Sequence, residues 1–196
     1  MHDFTGVRIG FAMTGSFCTF QTAFTAAKAL QTAGASLLPV MSEHAAAIST
    51  RFGTAEEHIA QLSALCGCEV LRTIAEVEPI GPKQMTDIMV IAPCTGNTLA
   101  KLACGITDTA VTMAVKSHLR GGKPVLLAIA TNDALAGSAR NIGQLLNRRH
   151  YYFVPFAQDS PGGKPASLVA EFTRLPEAVA AALRGEQLQP LLEYVS

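Results

Sequence analysis

A series of short apolar runs, each closed by small polar residues and followed by a helical stretch, constrains this chain more than any other feature. The clearest lies between Asp87 and Asp108. Ile88 to Ala92 reads as a strand buried on both faces, stopping at Pro93. Cys94, Thr95, Gly96 and Asn97 form a polar turn, and Leu99, Leu102 and Ala103 then mark one side of an amphipathic helix. The same alternation recurs at Val7–Met13, Ser36–Met41, Val125–Ala130 and Tyr151–Phe156. Strand–helix alternation of this kind builds βαβ units with right-handed crossovers, hence an α/β fold with a parallel sheet. Its βα turns gather along the carboxyl edge of the sheet, where open α/β folds bind ligands.

Further along, helices are expected from Thr19 to Ala33, across His44 to Leu65 with a break at Phe52-Gly53, on both sides of Gly105, from Ser138 to Asn147, and from Pro176 to Leu183. Glu69–Thr73 reads as a short extra strand, and Gln158–Pro165 as a surface loop whose Gly162-Gly163 pair suits a lid. The 196 residues are enough for one domain spanning residues 1–196.

Only 15% of the residues are charged, below the usual figure of about 25%. Much surface must therefore be buried, in a two-sided core or between copies of the chain, so a homo-oligomer is expected. Fifteen basic residues balance fifteen acidic ones, with no basic stripe, which excludes a nucleic-acid footprint. No apolar run is long enough to span a bilayer, and the N-terminal residues lack a leader pattern, so the expected location is cytoplasmic, without a membrane partner. The five scattered cysteines read as reduced thiols. Cys66 and Cys68 lack the second ligand pair that a metal centre needs, so no metal is expected.

Four βα turns carry the candidate chemistry: Thr14-Gly15-Ser16, Ser42-Glu43-His44, Cys94-Thr95-Gly96-Asn97 and Thr131-Asn132-Asp133. The first is a phosphate cradle in type, because glycine admits a close backbone approach, serine adds a hydroxyl and the following helix N-terminus favours an anion. It matches neither the dinucleotide fingerprint nor a Walker sequence, and a mononucleotide suits it better.

Three segments resemble the flavoprotein family of cysteine decarboxylases and flavin prenyltransferases: Gly15–Lys28 (GSFCTFQTAFTAAK), Ile91–Asp108 (IAPCTGNTLAKLACGITD) and Lys123–Asn132 (KPVLLAIATN). The resemblance implies a three-layer Rossmann-like or flavodoxin-like sheet with helices on both faces, and bound FMN. On this likeness Gly15 and Ser16 would hold the FMN phosphate, and Thr14, Ser42, Pro93, Cys94, Thr95, Gly96, Asn97, Thr131 and Asn132 would line the flavin and substrate. Where the family has a PAMN segment, this chain reads Ile129-Ala130-Thr131-Asn132, so Pro and Met are absent.

Asn132–Pro161 and Gly185–Pro190 resemble one branch, the B subunits of dipicolinate synthase. That likeness implies oxidation of a dihydrodipicolinate-type dicarboxylate in a sporulating mother cell, together with a dehydrogenase-like A subunit. It leaves open whether the acceptor is FMN in this chain or NAD or NADP in the partner. An FMN-dependent decarboxylase and a flavin-free, non-catalytic partner are the competing readings. Asn97 and His44 are the candidate catalytic residues, and Arg140 the candidate carboxylate ligand, because a guanidinium can grip a carboxylate bidentately.

Overall fold

The computed structural model describes residues 2–193. In chain order the elements are β1 (Arg8–Met13), α1 (Phe20–Thr32), β2 (Ser36–Met41), α2 (Glu43–Ala47), α3 (Ala55–Cys66), α4 (Ile74–Val77), β3 (Ile88–Cys94), α5 (Gly96–Cys104), α6 (Ala110–Leu119), β4 (Val125–Thr131), α7 (Ala139–Leu146), β5 (Tyr151–Phe153), β6 (Phe156–Ala157), β7 (Leu168–Ala170) and α8 (Leu175–Leu183).

Five strands run parallel in the order β2-β1-β3-β4-β5. Every residue of β3 is buried, as expected of a strand covered on both faces. Alternate residues feed two separate cores. Ile88, Val90 and Ala92 of β3, with Leu126 and Ala128 of β4, pack against α1, α3 and α8. Met89 and Ile91, with Val125, Leu127 and Ile129, pack against α5, α6 and α7. The period of two thus sends one strand into both layers, and the three-layer architecture follows. At Gly10 β1 comes close to β3: a Cβ there would lie 2.6 Å from the Met89 Cε, and the end of that side chain would have to shift.

Three expectations need correction. The sheet is mixed, since β7 pairs antiparallel with β4, and β6 pairs antiparallel with β7. The run Tyr151–Phe156 is therefore two strands, parted at Val154-Pro155, where proline has no N–H to donate to a ladder. The expected strand at Glu69–Thr73 reduces to a single bridge between Val40 and Leu71. Beyond it, Thr73 and Glu76 close a capping box and the chain turns into the short α4.

The order 2-1-3-4-5 reverses direction between β1 and β3, and a crevice opens beyond the carboxyl ends of strands at such a switch point. Here those ends lead into Thr14–Ser16 and Thr95–Asn97. No helix of the described residues is long and apolar enough to cross a membrane.

Candidate functional site

Thr14 ties the two turns at the switch point together. It is 1% exposed. Its Oγ1 donates to the Pro93 carbonyl at 2.8 Å and accepts the Thr95 N–H at 3.0 Å. Thr95 then caps α5, its Oγ1 accepting the Thr98 N–H at 3.4 Å. Gly96 presses this turn onto the one after β4. A Cβ on it would lie 2.6 Å from Ser138 Oγ, 2.8 Å from Thr131 Oγ1 and 2.9 Å from Asp133 Oδ1. Those three side chains are bonded to one another: Asp133 Oδ1 accepts from Thr131 Oγ1 at 2.5 Å and from Ser138 Oγ at 2.9 Å. These bonds, Thr131's foremost, hold the Asp133 carboxyl below the ordinary range. Ser42 caps α2 by accepting the Ala45 N–H, and Glu43 accepts the Ala110 N–H at 2.8 Å where α6 begins.

Two adjoining cavities open on this edge, sharing Gly15, Phe17 and Thr95. The larger, about 540 Å³, is lined by the turn Gly15–Thr19 after β1, by Thr50, Arg51 and Phe52, by Thr131 and Asn132 after β4, and by Asp159, Lys164 and Ser167. The smaller, about 430 Å³, is lined by Thr14, Ser42, Glu43, His44, Asn97, Thr98, Lys101, Asp108 and Thr109 among others. Both volumes lie in the range of small-molecule sites, roughly 300–1,000 Å³. Lys101 pairs with Asp108 at 2.8 Å, and Lys164 with Asp159 at 3.6 Å.

Of the residues singled out in the sequence, Ser16, Thr131 and Asn132 border the larger cavity, and Thr14, Ser42, His44 and Asn97 the smaller; Gly15 and Thr95 border both. Four are placed elsewhere. Pro93 and Cys94 are buried at the end of β3 and line neither cavity. Complete burial pushes the Cys94 thiol far above its ordinary pKa, so the turn offers no thiolate there. Gly96 acts by its lack of a side chain, at the contact with Ser138. Arg140 stands exposed on α7 and lines neither cavity, so its expected carboxylate contact is absent from this arrangement.

The cations that do line the cavities, Arg51, Lys164 and Lys101, escaped sequence reasoning. Arg51 sits at the expected helix break and Lys164 inside the glycine-rich loop, so both segments were visible, though not their convergence. That loop is fastened by the Gln158 amide donating to the Pro165 carbonyl at 2.7 Å. The turn after β1 leads into a 3-10 turn, Phe17–Thr19, and then α1. Helix starts carry backbone N–H groups without partners inside the helix. Hydroxyls, amides and cations therefore dominate the donor set, which suits an anionic ligand.

A family model described as Flavoprotein matches residues 2–165. The chain is 42% identical over 192 residues to the B subunit of dipicolinate synthase from Bacillus subtilis (strain 168), covering 98% of this chain and 96% of that one. Among solved structures, the dipicolinate synthase B subunit from Bacillus halodurans superposes with a TM-score of 0.91 at 41% identity, covering 99% of this chain and 100% of that one. The FMN-dependent cysteine decarboxylase SpaF shares the fold, with a TM-score of 0.70 at 22% identity over 92% of this chain and 97% of that one.

Proposed function

Because this chain belongs to the flavoprotein family, we propose that it works as the B-type subunit of a dipicolinate synthase. It oxidises a dihydrodipicolinate-type ring to pyridine-2,6-dicarboxylate together with a dehydrogenase-like A subunit, in the cytoplasm of a sporulating mother cell. The observation that carries the reading is 42% identity over nearly the full length of both chains to a protein of that name.

FMN is the cofactor we assign to the switch-point cavities, on the chemistry of their donors. Gly15, Ser16 and the first turn leading into α1 would hold its phosphate, and Thr95, Thr131 and Asn132 would flank the rest. Bound FMN supplies a two-electron acceptor; NAD or NADP on the A subunit is the other acceptor compatible with this chemistry. Oxidation of the ring removes a hydride equivalent and a proton, and aromatisation drives it. The chain's task is to hold two carboxylates and take up that proton. Arg51 on one side and the Asn97 amide on the other supply the donor groups, beside Lys164 and Lys101, which are shared with Asp159 and Asp108. His44, exposed at the rim of the smaller cavity, is the base we assign. Low overall charge and the exposed apolar residues Ile48 and Ile106 support burial between copies of the chain.

The test is reconstitution. The purified chain is mixed with a dipicolinate synthase A subunit and the dihydro precursor, and dipicolinate is measured with and without FMN. Formation that needs both chains and rises with FMN supports the reading. Formation by the A subunit alone at the same rate overturns it. Dependence on both chains without FMN leaves the subunit assignment standing and moves the acceptor to the partner.

A further inference from the structure

The larger cavity is bordered by a tight turn whose construction is unusual. Thr50 and Gly53 exchange backbone hydrogen bonds at 3.0 and 3.2 Å, and the Phe52 N–H donates to Thr50 Oγ1 at 3.1 Å. At its tip stand Arg51 and Phe52, both exposed, with the guanidinium carbon 4.9 Å from the Phe52 ring centroid. Among the described residues, no carboxylate lies within ion-pair distance of Arg51. An aromatic ring that is 47% exposed beside an unpaired guanidinium, at the mouth of a cavity, is an arrangement for receiving something.

Beneath the turn lies His58, only 5% exposed. Its Nε2 is 3.2 Å from the Phe52 carbonyl, and its ring packs edge-on against Phe20 at 4.8 Å between centroids. The other ring nitrogen, Nδ1, is buried without a hydrogen-bond partner. A buried unsatisfied acceptor costs about 1–3 kcal/mol, and an aliphatic or phenyl side chain would fill this aromatic nest without that cost. The one thing the imidazole supplies is the Nε2–H bond to the Phe52 carbonyl. Gly53 makes room for it: its φ is +131°, and a Cβ there would lie 2.7 Å from His58 Nε2.

We propose that His58 is a positioning residue that locks the Thr50–Gly53 turn, and that the locked turn recognises the substrate, with Phe52 against a planar ring and Arg51 on its carboxylate. The ligand class is a small carboxylated ring. The inference rests on the reading given under Proposed function, and deepens it by assigning one substrate contact to a turn outside the four βα turns. Arg51, being exposed and flexible, reaches the ligand only from a turn whose backbone is fixed. Loss of the His58 bond therefore weakens substrate recognition without touching the FMN phosphate contacts.

The experiment uses the full chain and three readouts. The first two are binding of pyridine-2,6-dicarboxylate, by calorimetry, and binding of FMN, by flavin fluorescence. The third is the rate of tryptic cleavage after Arg51 relative to the other Lys and Arg sites. Arg51→Gln and Phe52→Ala are expected to weaken dicarboxylate binding about tenfold and about fivefold, with FMN affinity unchanged. His58→Leu is expected to weaken it about tenfold and to speed cleavage at Arg51 selectively. His58→Gln, which keeps an N–H donor, should restore both to within about twofold of the parent. Dicarboxylate binding that Arg51→Gln and Phe52→Ala leave unchanged would overturn the recognition role alone. Failure of the parent chain to bind either probe would overturn it together with the reading it rests on. Unchanged cleavage in His58→Leu, with normal folding by circular dichroism, would overturn the positioning role.

Discussion

Replacing Gly96 with alanine tests whether the turns after β3 and β4 are locked face to face. The new methyl would sit 2.6 Å from Ser138 Oγ, 2.8 Å from Thr131 Oγ1 and 2.9 Å from Asp133 Oδ1. All three are closer than real Cβ contacts allow, and the three side chains are bonded together, so none can yield alone. Overpacking of this kind costs about 1–3 kcal/mol. Against it stands the better helix propensity of alanine, worth at most about 1 kcal/mol at this first position of α5. Subtracting one from the other leaves a net loss of up to about 3 kcal/mol, which in a chain of this size lowers the melting temperature by up to about 12 °C. Thermal denaturation by circular dichroism measures it. Ser138→Ala supplies the control, because it removes the nearest clashing atom. Combined with Gly96→Ala it should cost less than the sum of the two single changes, by about 1 kcal/mol. A Gly96→Ala chain that melts at or above the parent temperature, or strictly additive costs, would refute the reasoning.

Thr14→Val keeps the shape of the β1 terminus but leaves the Thr95 N–H without its acceptor. The expected cost is about 1–3 kcal/mol, read as a lower midpoint in urea. His118 is buried, with Thr86 Oγ1 at 2.8 Å from Nδ1 and the Pro124 carbonyl at 2.9 Å from Nε2, and burial lowers its pKa to about 4. A histidine with a depressed folded pKa contributes stability above its unfolded value. That contribution fades as pH falls from about 6.5 towards 4, by up to about 3 kcal/mol. His118→Asn should melt lower at neutral pH yet lose this segment of pH dependence; an unchanged slope would assign it to other groups. His44→Gln should cut turnover of the reconstituted pair by about a hundredfold with FMN affinity intact. Turnover within twofold of the parent would remove His44 from proton transfer.

The buried parallel strands were legible because they are largely apolar, and Ile88–Ala92 fell within β3, which runs on through Pro93 and Cys94 rather than stopping at the proline. The helix break at Gly105 was legible too, since Gly105 takes a left-handed conformation with φ 72° and ends α5. The antiparallel extension was not. β6 and β7 have two and three residues, and their pairing depends on which distant backbone they meet. The four-residue α4 announced itself only by its Thr73–Glu76 capping box. Within the site, the βα turns were readable one by one, because small polar residues after a strand have few other uses. Arg51 and Lys164 were not readable as a pair, since only the fold brings residues so far apart in sequence to one cavity. Arg140 follows its polar turn closely in sequence, yet α7 carries it onto the exposed surface.

The most direct measurement is an FMN titration of the purified chain beside its Ser16→Asp variant, followed by quenching of flavin fluorescence, with melting temperatures recorded for both. A carboxylate placed at the phosphate cradle opposes the ligand's own charge and leaves the partly exposed turn free to fold. The expected result is saturable quenching by the parent and none by the variant, at similar melting temperatures. Equal binding by both chains, or no binding by the parent at excess FMN, would contradict a flavin site at the β1–β3 switch point.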